Sequence, residues 1–312
     1  AAPFLVLLLA IFAFAIFAGE NFFSPFNLSL ILQQVTVIGL LGIAQTLVVI
    51  TAGIDLSVAA IMVLSAVVMG KFGVVLGINP ALSIAAGLAI GSLCGLFNGI
   101  FVTKFRLPPF IVTLGSWSVF FALNLWYSGA QTIRSQDIDE IMPSLKLFGD
   151  TFDLFGMALT YGAVLMLAAF LLFLYILNWT AWGRAVYAVG DDRDSAELAG
   201  IKVNRILLSV YVVAGLICAV AGWVAIGRIG SVSPQSFYQG NLDAITAVVI
   251  GGCSLFGGRG SILGTLIGAL IVGVFRSGLK IAGVDVLWQE FTVGLLIILA
   301  VALDQWIRKV AK

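Results

Sequence analysis

Few side chains in this chain could do chemistry, and the missing ones narrow the choice first. The 312 residues contain no histidine, which removes the usual general base, histidine metal sites and a Ser-His-Asp arrangement. Cys94, Cys218 and Cys253 lie in apolar or glycine-rich stretches without the paired spacing of a zinc or redox motif, and read as small packing residues. The glycine run GGCSLFGGRGS at 251–261 lacks the lysine of a phosphate-binding loop. No catalytic residue and no metal ligand is expected, and if ATP drives this protein another chain must bind it. Among the acids, Asp55 in ITAGIDLSVAA (50–60) stands out, because an ionisable group at a bilayer is costly. A proton relay would need further acids, and only Asp243, Glu290 and Asp304 lie near apolar runs. The preferred role is local: Gly53 ends one helix and Asp55, helped by Ser57, caps the next.

A second group is neutral. Gln33, Gln34, Gln45, Asn98, Thr113, Ser116, Trp117, Ser118, Asn124 and Tyr127 interrupt otherwise apolar segments. Amides and hydroxyls beside aromatic rings suit a sugar, which offers hydroxyls at its edge and a weakly apolar ring face. Gln34, Asn98, Thr113, Trp117 and Asn124 are therefore the candidate substrate pathway. The competing role is helix-to-helix hydrogen bonding.

The elements that must position these residues are membrane spans. The chain is 61% hydrophobic and 10% charged with mean hydropathy +1.15, far from a soluble domain, where about a quarter of residues are charged. The apolar runs are near 20 residues long and lack the alternation of a membrane strand, so the fold class is all-α and polytopic. Ten spans are predicted, at 4–18, 28–50, 56–76, 80–103, 110–127, 156–177, 206–226, 241–256, 262–278 and 289–307. The eighth is barely long enough to cross and is a candidate re-entrant segment. The first is counted as a span rather than a secretory signal. With both termini cytoplasmic, ten of the 16 Lys and Arg fall inside, in keeping with the positive-inside rule. Trp126, Tyr127, Trp179, Trp182 and Trp306 fall at predicted span ends as interface anchors in contact with lipid. Net charge +1 without a block of like charge gives nucleic acid no footprint.

Two stretches break this pattern. Residues 178–205 hold Arg184, Asp191, Asp192, Arg193, Asp194, Glu197, Lys202 and Arg205 between two long apolar runs. They form a water-facing island in which Asp191 or Asp192 caps a short helix and Gly200 ends it. So long a connector with its own caps leans toward docking a partner, through Ser195, Ala196, Leu198 and Ala199. The other stretch is a pair of glycine-rich breaks, with Gly53 and Asp55 in one and Gly251, Gly252, Gly257 and Gly258 in the other. Broken helices are tolerated in membranes where protein or a water path surrounds them, as in transporters built from repeats.

GDDRDSAELAGIKVNR resembles the coupling-loop signature of bacterial ABC importer permeases of the ribose, xylose and fructose class. TAGIDLS, RLPPFIVTLG and GGCSLFGGRGSILGTLIGALIVGVF resemble its other recurrent blocks, so the likeness spans essentially the whole chain. YSGAQTIRSQDI, WTAWGRAVYAVGDD, GRIGSVSP and DQWIRKVA look closest to fructose permeases; Ala59 departs from the glycine common at its position. The resemblance implies a single permease domain over 1–312 in the inner membrane with a cytoplasmic coupling loop at 178–205. It also implies a second permease subunit, cytoplasmic ATP-binding subunits carrying ATP and Mg, and a periplasmic sugar-binding protein. Arg184, Asp191, Asp192, Ser195, Ala196, Glu197, Leu198 and Gly200 would then meet the ATPase. An ion-coupled sugar transporter, a membrane scaffold, and an ABC permease for nucleosides or amino acids stay open as alternatives.

Overall fold

The computed structural model describes residues 2–154 and 156–292, with residues 294, 295, 298, 299 and 302 beyond them. The chain runs through α1 (Ala2–Ala18), α2 (Pro25–Ile50), α3 (Val58–Gly70), α4 (Pro80–Thr103) and α5 (Pro109–Ser128). A connecting region follows, made of α6 (Ser135–Ile141), a 3₁₀ segment (Pro143–Gly149) and the strands β1 (Thr151–Leu154) and β2 (Met157–Thr160). Then come α7 (Tyr161–Trp179), α8 (Ala181–Asp191), α9 (Arg193–Leu198), α10 (Val203–Ile229), α11 (Gly240–Ile250) and α12 (Ile262–Ile281). Local chemistry sets many boundaries. Ser24 and Asn79 cap α2 and α4 ahead of Pro25 and Pro80, and Gly129 and Gly230 take left-handed backbone where α5 and α10 stop.

Seven of the described helices are long and apolar enough to cross a membrane. They are α2, α3 with its π-helical extension Lys71–Val75, α4, α5, α7, α10 and α12. The expected first and eighth spans are shorter apolar helices. α11 has 11 residues, about 16 Å at about 1.5 Å per residue, half of a hydrocarbon core. The expected span at 156–177 starts late, because residues 157–160 pair as a hairpin strand with 151–154 and the helix begins only at Tyr161. The expected last span, 289–307, is helical at each of its described residues, and the rest of it, Trp306 included, lies outside them.

α2, α3 and α10 form the buried centre. α10 packs closely on α4 because Gly91, Gly95 and Gly99 recur every fourth residue on α4, while Gly87, one turn earlier, packs on Met69 of α3. A methyl at Gly91 would lie 2.5 Å from the Gly215 carbonyl, and one at Gly95 would collide with the Tyr211 carbonyl. The 129–160 connection is no loose loop. Ile138, Met142 and Leu145 are buried, Lys146 pairs with Asp139 at 2.6 Å, and Gly149 abuts Gly227 of α10. Its acids Asp137, Asp139, Glu140, Asp150 and Asp153 remain exposed.

Candidate functional site

The first break is a turn held from four sides. Helix α2 ends with the amides of Ala52 and Gly53 donating to the Val49 and Val48 carbonyls, and Ala52 takes φ +61°. The Asp55 carboxylate accepts from the Ser57 amide at 2.7 Å and from the Ser57 hydroxyl at 2.6 Å, which opens α3. Asn98 of α4 donates to the Ser57 oxygen at 2.8 Å, and Thr113 of α5 donates to the Ile54 carbonyl at 2.9 Å. Gln45, with its amide turned to satisfy both atoms, donates to the Asp55 carbonyl at 2.9 Å and accepts from the Asp55 amide at 3.3 Å. Asp55 and Ser57 are buried, without a cation in ion-pair range among the described residues. Gly53 packs beside the buried hydroxyl of Tyr211.

The second break repeats the first. Gly252 donates to the Val249 carbonyl and Cys253 to the Val248 carbonyl, with Gly252 at φ +84°. The sequence carries the same signal, since TLVVI at 46–50 and TAVVI at 246–250 precede the two turns at equal register. Only glycine or a strained residue fits where the chain turns left-handed, which is why Ala52 and Gly252 occupy matching places. The two breaks touch: the Gly258 amide donates to the Ile50 carbonyl at 2.9 Å, and Gly257 sits against Ala52. Gly251 packs on Gly264 of α12, and the Thr46 and Thr265 hydroxyls meet at 2.6 Å.

The polar island closes onto this junction. At the end of α8, Gly190 lies against the Ile50 carbonyl and the Gly258 amide, leaving no room for a side chain. Tyr187 donates to the Gly260 carbonyl at 2.9 Å, and Trp182 donates to Ser209 of α10 at 2.8 Å. Beyond it, the Asp192 side chain caps α9 by accepting from the Ser195 amide at 2.9 Å, and that bond holds its carboxyl below the usual carboxylate range. Because the pKa is lowered on folding, the cap holds above the ordinary carboxylate range and is lost only as pH falls through the lower folded value. Gly200 at φ +83° ends α9, where the Ile201 amide donates to the Ala196 carbonyl.

Arg184, Asp191, Ser195 and Glu197 are exposed, and Leu198 is 90% exposed. Ala196 departs from the expected docking face: it is buried against Val189 and Leu207, because one side of so short a helix must rest on the protein.

The candidate pathway residues do not gather in one place. Asn98 and Thr113 hold the first break, Asn124 donates to the Pro234 carbonyl at 2.7 Å, and Trp117 packs on Tyr238. Gln34 lines a different, polar cavity at the far end of α2. The ion pairs of Arg276 with Asp243 (2.7 Å) and Glu290 (3.2 Å) lie at that end, and they went unread in the sequence because their members are 14 and 33 residues apart.

Long apolar helices, two buried breaks in matching register and one exposed polar segment clamped to both are the build of a multi-pass membrane permease. The chain belongs to the family described as the branched-chain amino acid transport system / permease component, which matches residues 27–301. It is 57% identical to the fructose import permease protein FrcC of Rhizobium meliloti, over 100% of this chain and 86% of that protein. It is 38% identical to the ribose import permease protein RbsC of Bacillus subtilis, over 97% of this chain and 92% of that protein. Identity to the D-allose transport system permease protein AlsC of Escherichia coli is 33%, over 98% and 91%. No solved structure matches the chain.

Proposed function

We propose that this chain is the membrane permease subunit of an ATP-driven importer of a monosaccharide, D-fructose first and ribose next, working by alternating access. It lies in the bacterial inner membrane with both termini cytoplasmic and pairs with a second copy of itself. ATP and Mg are held by separate cytoplasmic ATP-binding subunits that grip the 178–205 segment, and a periplasmic sugar-binding protein supplies the substrate. The observation that carries this reading is the junction of α8 with both helix breaks. A push on the exposed α9 reaches α2, α11 and α12 through glycine contacts that leave no slack. Such a device works only if the nucleotide-loaded partner binds one arrangement of the spans better than the other. Full-length similarity to proteins named as fructose and ribose import permeases supports the substrate class.

The test is uptake into proteoliposomes holding the chain with its ATP-binding subunit and binding protein. ATP-dependent fructose uptake is expected, with none from the chain alone under an ion gradient. Uptake by the chain alone would replace this reading with a secondary transporter, and uptake of leucine instead of sugar would follow the family's description. Leu198→Asp is expected to abolish co-purification of the ATP-binding subunit. Leu198 alone is the informative site, since a charge at the buried Ala196 would disturb α9 itself.

A further inference from the structure

Gln34 and Ile50 are 16 residues apart on α2, about 24 Å at about 1.5 Å per residue. The Gln34 end therefore lies a full membrane half or more from the glycine junction. There the ends of α10, α11 and α12 open a cavity of about 300 Å³, at the lower end of the range for small-molecule sites. Its wall combines Gln34, Arg228, Phe237, Gln239, Asp243 and Arg276.

Two parts of this wall differ in their commitments. Arg276 is engaged with Asp243 and Glu290, which fastens α12 to its neighbours. Arg228 is not: no carboxylate lies within ion-pair range of it among the described residues, and its guanidinium rests over the Phe237 ring at 5.7 Å. Arg276 also keeps its Nε–H buried without a protein partner. Charged groups at membrane depth are costly and persist where they serve a pathway. Planar donors, an amide, a carboxylate and an aromatic face within one small cavity are the groups that read a ring of hydroxyls. Lys280 also lines the cavity, and Asp243, already held by Arg276, leaves the wall cationic on balance; the case for a neutral ring rests on the donors of Arg228 and Gln34 beside the Phe237 face.

We infer that this cavity, and not the Asn98, Thr113 and Asn124 set, receives the monosaccharide on the face opposite the coupling segment. Arg228 and Gln34 bond its hydroxyls, and Phe237 packs its ring. This rests on the function proposed above.

The assembled importer tests it in two ways. Arg228→Gln and Gln34→Ala are each expected to lower fructose uptake at least tenfold, with co-purification of the ATP-binding subunit and basal ATPase unchanged. In the second, Gln34→Cys is treated with a membrane-impermeant thiol reagent from the binding-protein side, the parent chain with its three buried cysteines serving as the blank. Saturating fructose should slow labelling, and leucine should not. Parental uptake of fructose together with undiminished uptake in both variants overturns the cavity assignment while leaving the importer reading intact. Labelling unchanged by fructose, or slowed by leucine instead, overturns it equally. A parent complex that moves no monosaccharide overturns both.

Discussion

Asp55 shows how much one buried acid can mean and how geometry decides. Its carboxylate spends two hydrogen bonds on Ser57, and Ser57 is held in turn by Asn98, so the acid belongs to a turn rather than to a chain of acids. Asp55→Asn keeps an acceptor oxygen for the Ser57 amide and is expected to leave uptake unchanged. Asp55→Ala leaves that amide and hydroxyl buried without an acceptor, a loss of about 1–3 kcal/mol, read as a lower melting temperature in detergent. Loss of uptake in a well-folded Asp55→Asn protein would instead mark the acid as a proton carrier. The link from Asp55 to Ser57 was legible in the sequence because the two are neighbours in the chain, but the expected cap is not formed: Ser57 is the N-cap of α3 and makes no side-chain cap bond, and Asp55 closes the turn just before it. The partners of Asn98 and Thr113 were not, since Ser57 and Ile54 are 41 and 59 residues distant in the chain. Polarity within an apolar helix says that a partner exists; it does not say whether that partner is sugar or backbone.

Among the elements, α4 depends most on glycine. Helices in lipid gain nothing from burying apolar surface against each other, so close packing must supply the attraction, and a glycine every fourth residue gives α10 a backbone surface to lie on. Gly95→Ala is expected to destabilise the solubilised permease by about 1–3 kcal/mol or more through overpacking against the Tyr211 carbonyl. Gly115→Ala on α5, where a methyl meets nothing within 4 Å, should be silent in the same melting assay. Equal melting of the two variants would refute the packing argument. Hydropathy located the long spans to within a few residues, because length and apolarity are local properties. It overran at α7 and α11: the hairpin before Tyr161 and the turn after Ile250 are both made of residues apolar enough to pass for helix.

At the scale of the molecule, three segments far apart in sequence converge on one point, with Gly190 between the Ile50 carbonyl and the Gly258 amide. Gly190→Ala is expected to uncouple the importer: ATPase persists, while fructose moved per ATP falls severalfold in proteoliposomes. An unchanged ratio would show that motion does not pass through this contact. By itself the sequence determined that the chain lives in a bilayer, where its long helices run, that the polar stretch 178–205 holds a short capped helix, and that two glycine breaks interrupt the spans. Composition, length and capping are all settled within a turn or two of chain. Only the tertiary structure decided that the breaks share one turn geometry and touch, that α8 is wedged against both, that Ala196 faces inward, and that Gln34 belongs with Arg228 and Asp243 rather than with Asn98. Those facts depend on which helices lie side by side, and that pairing follows from how surfaces of the whole bundle fit, which no local window records.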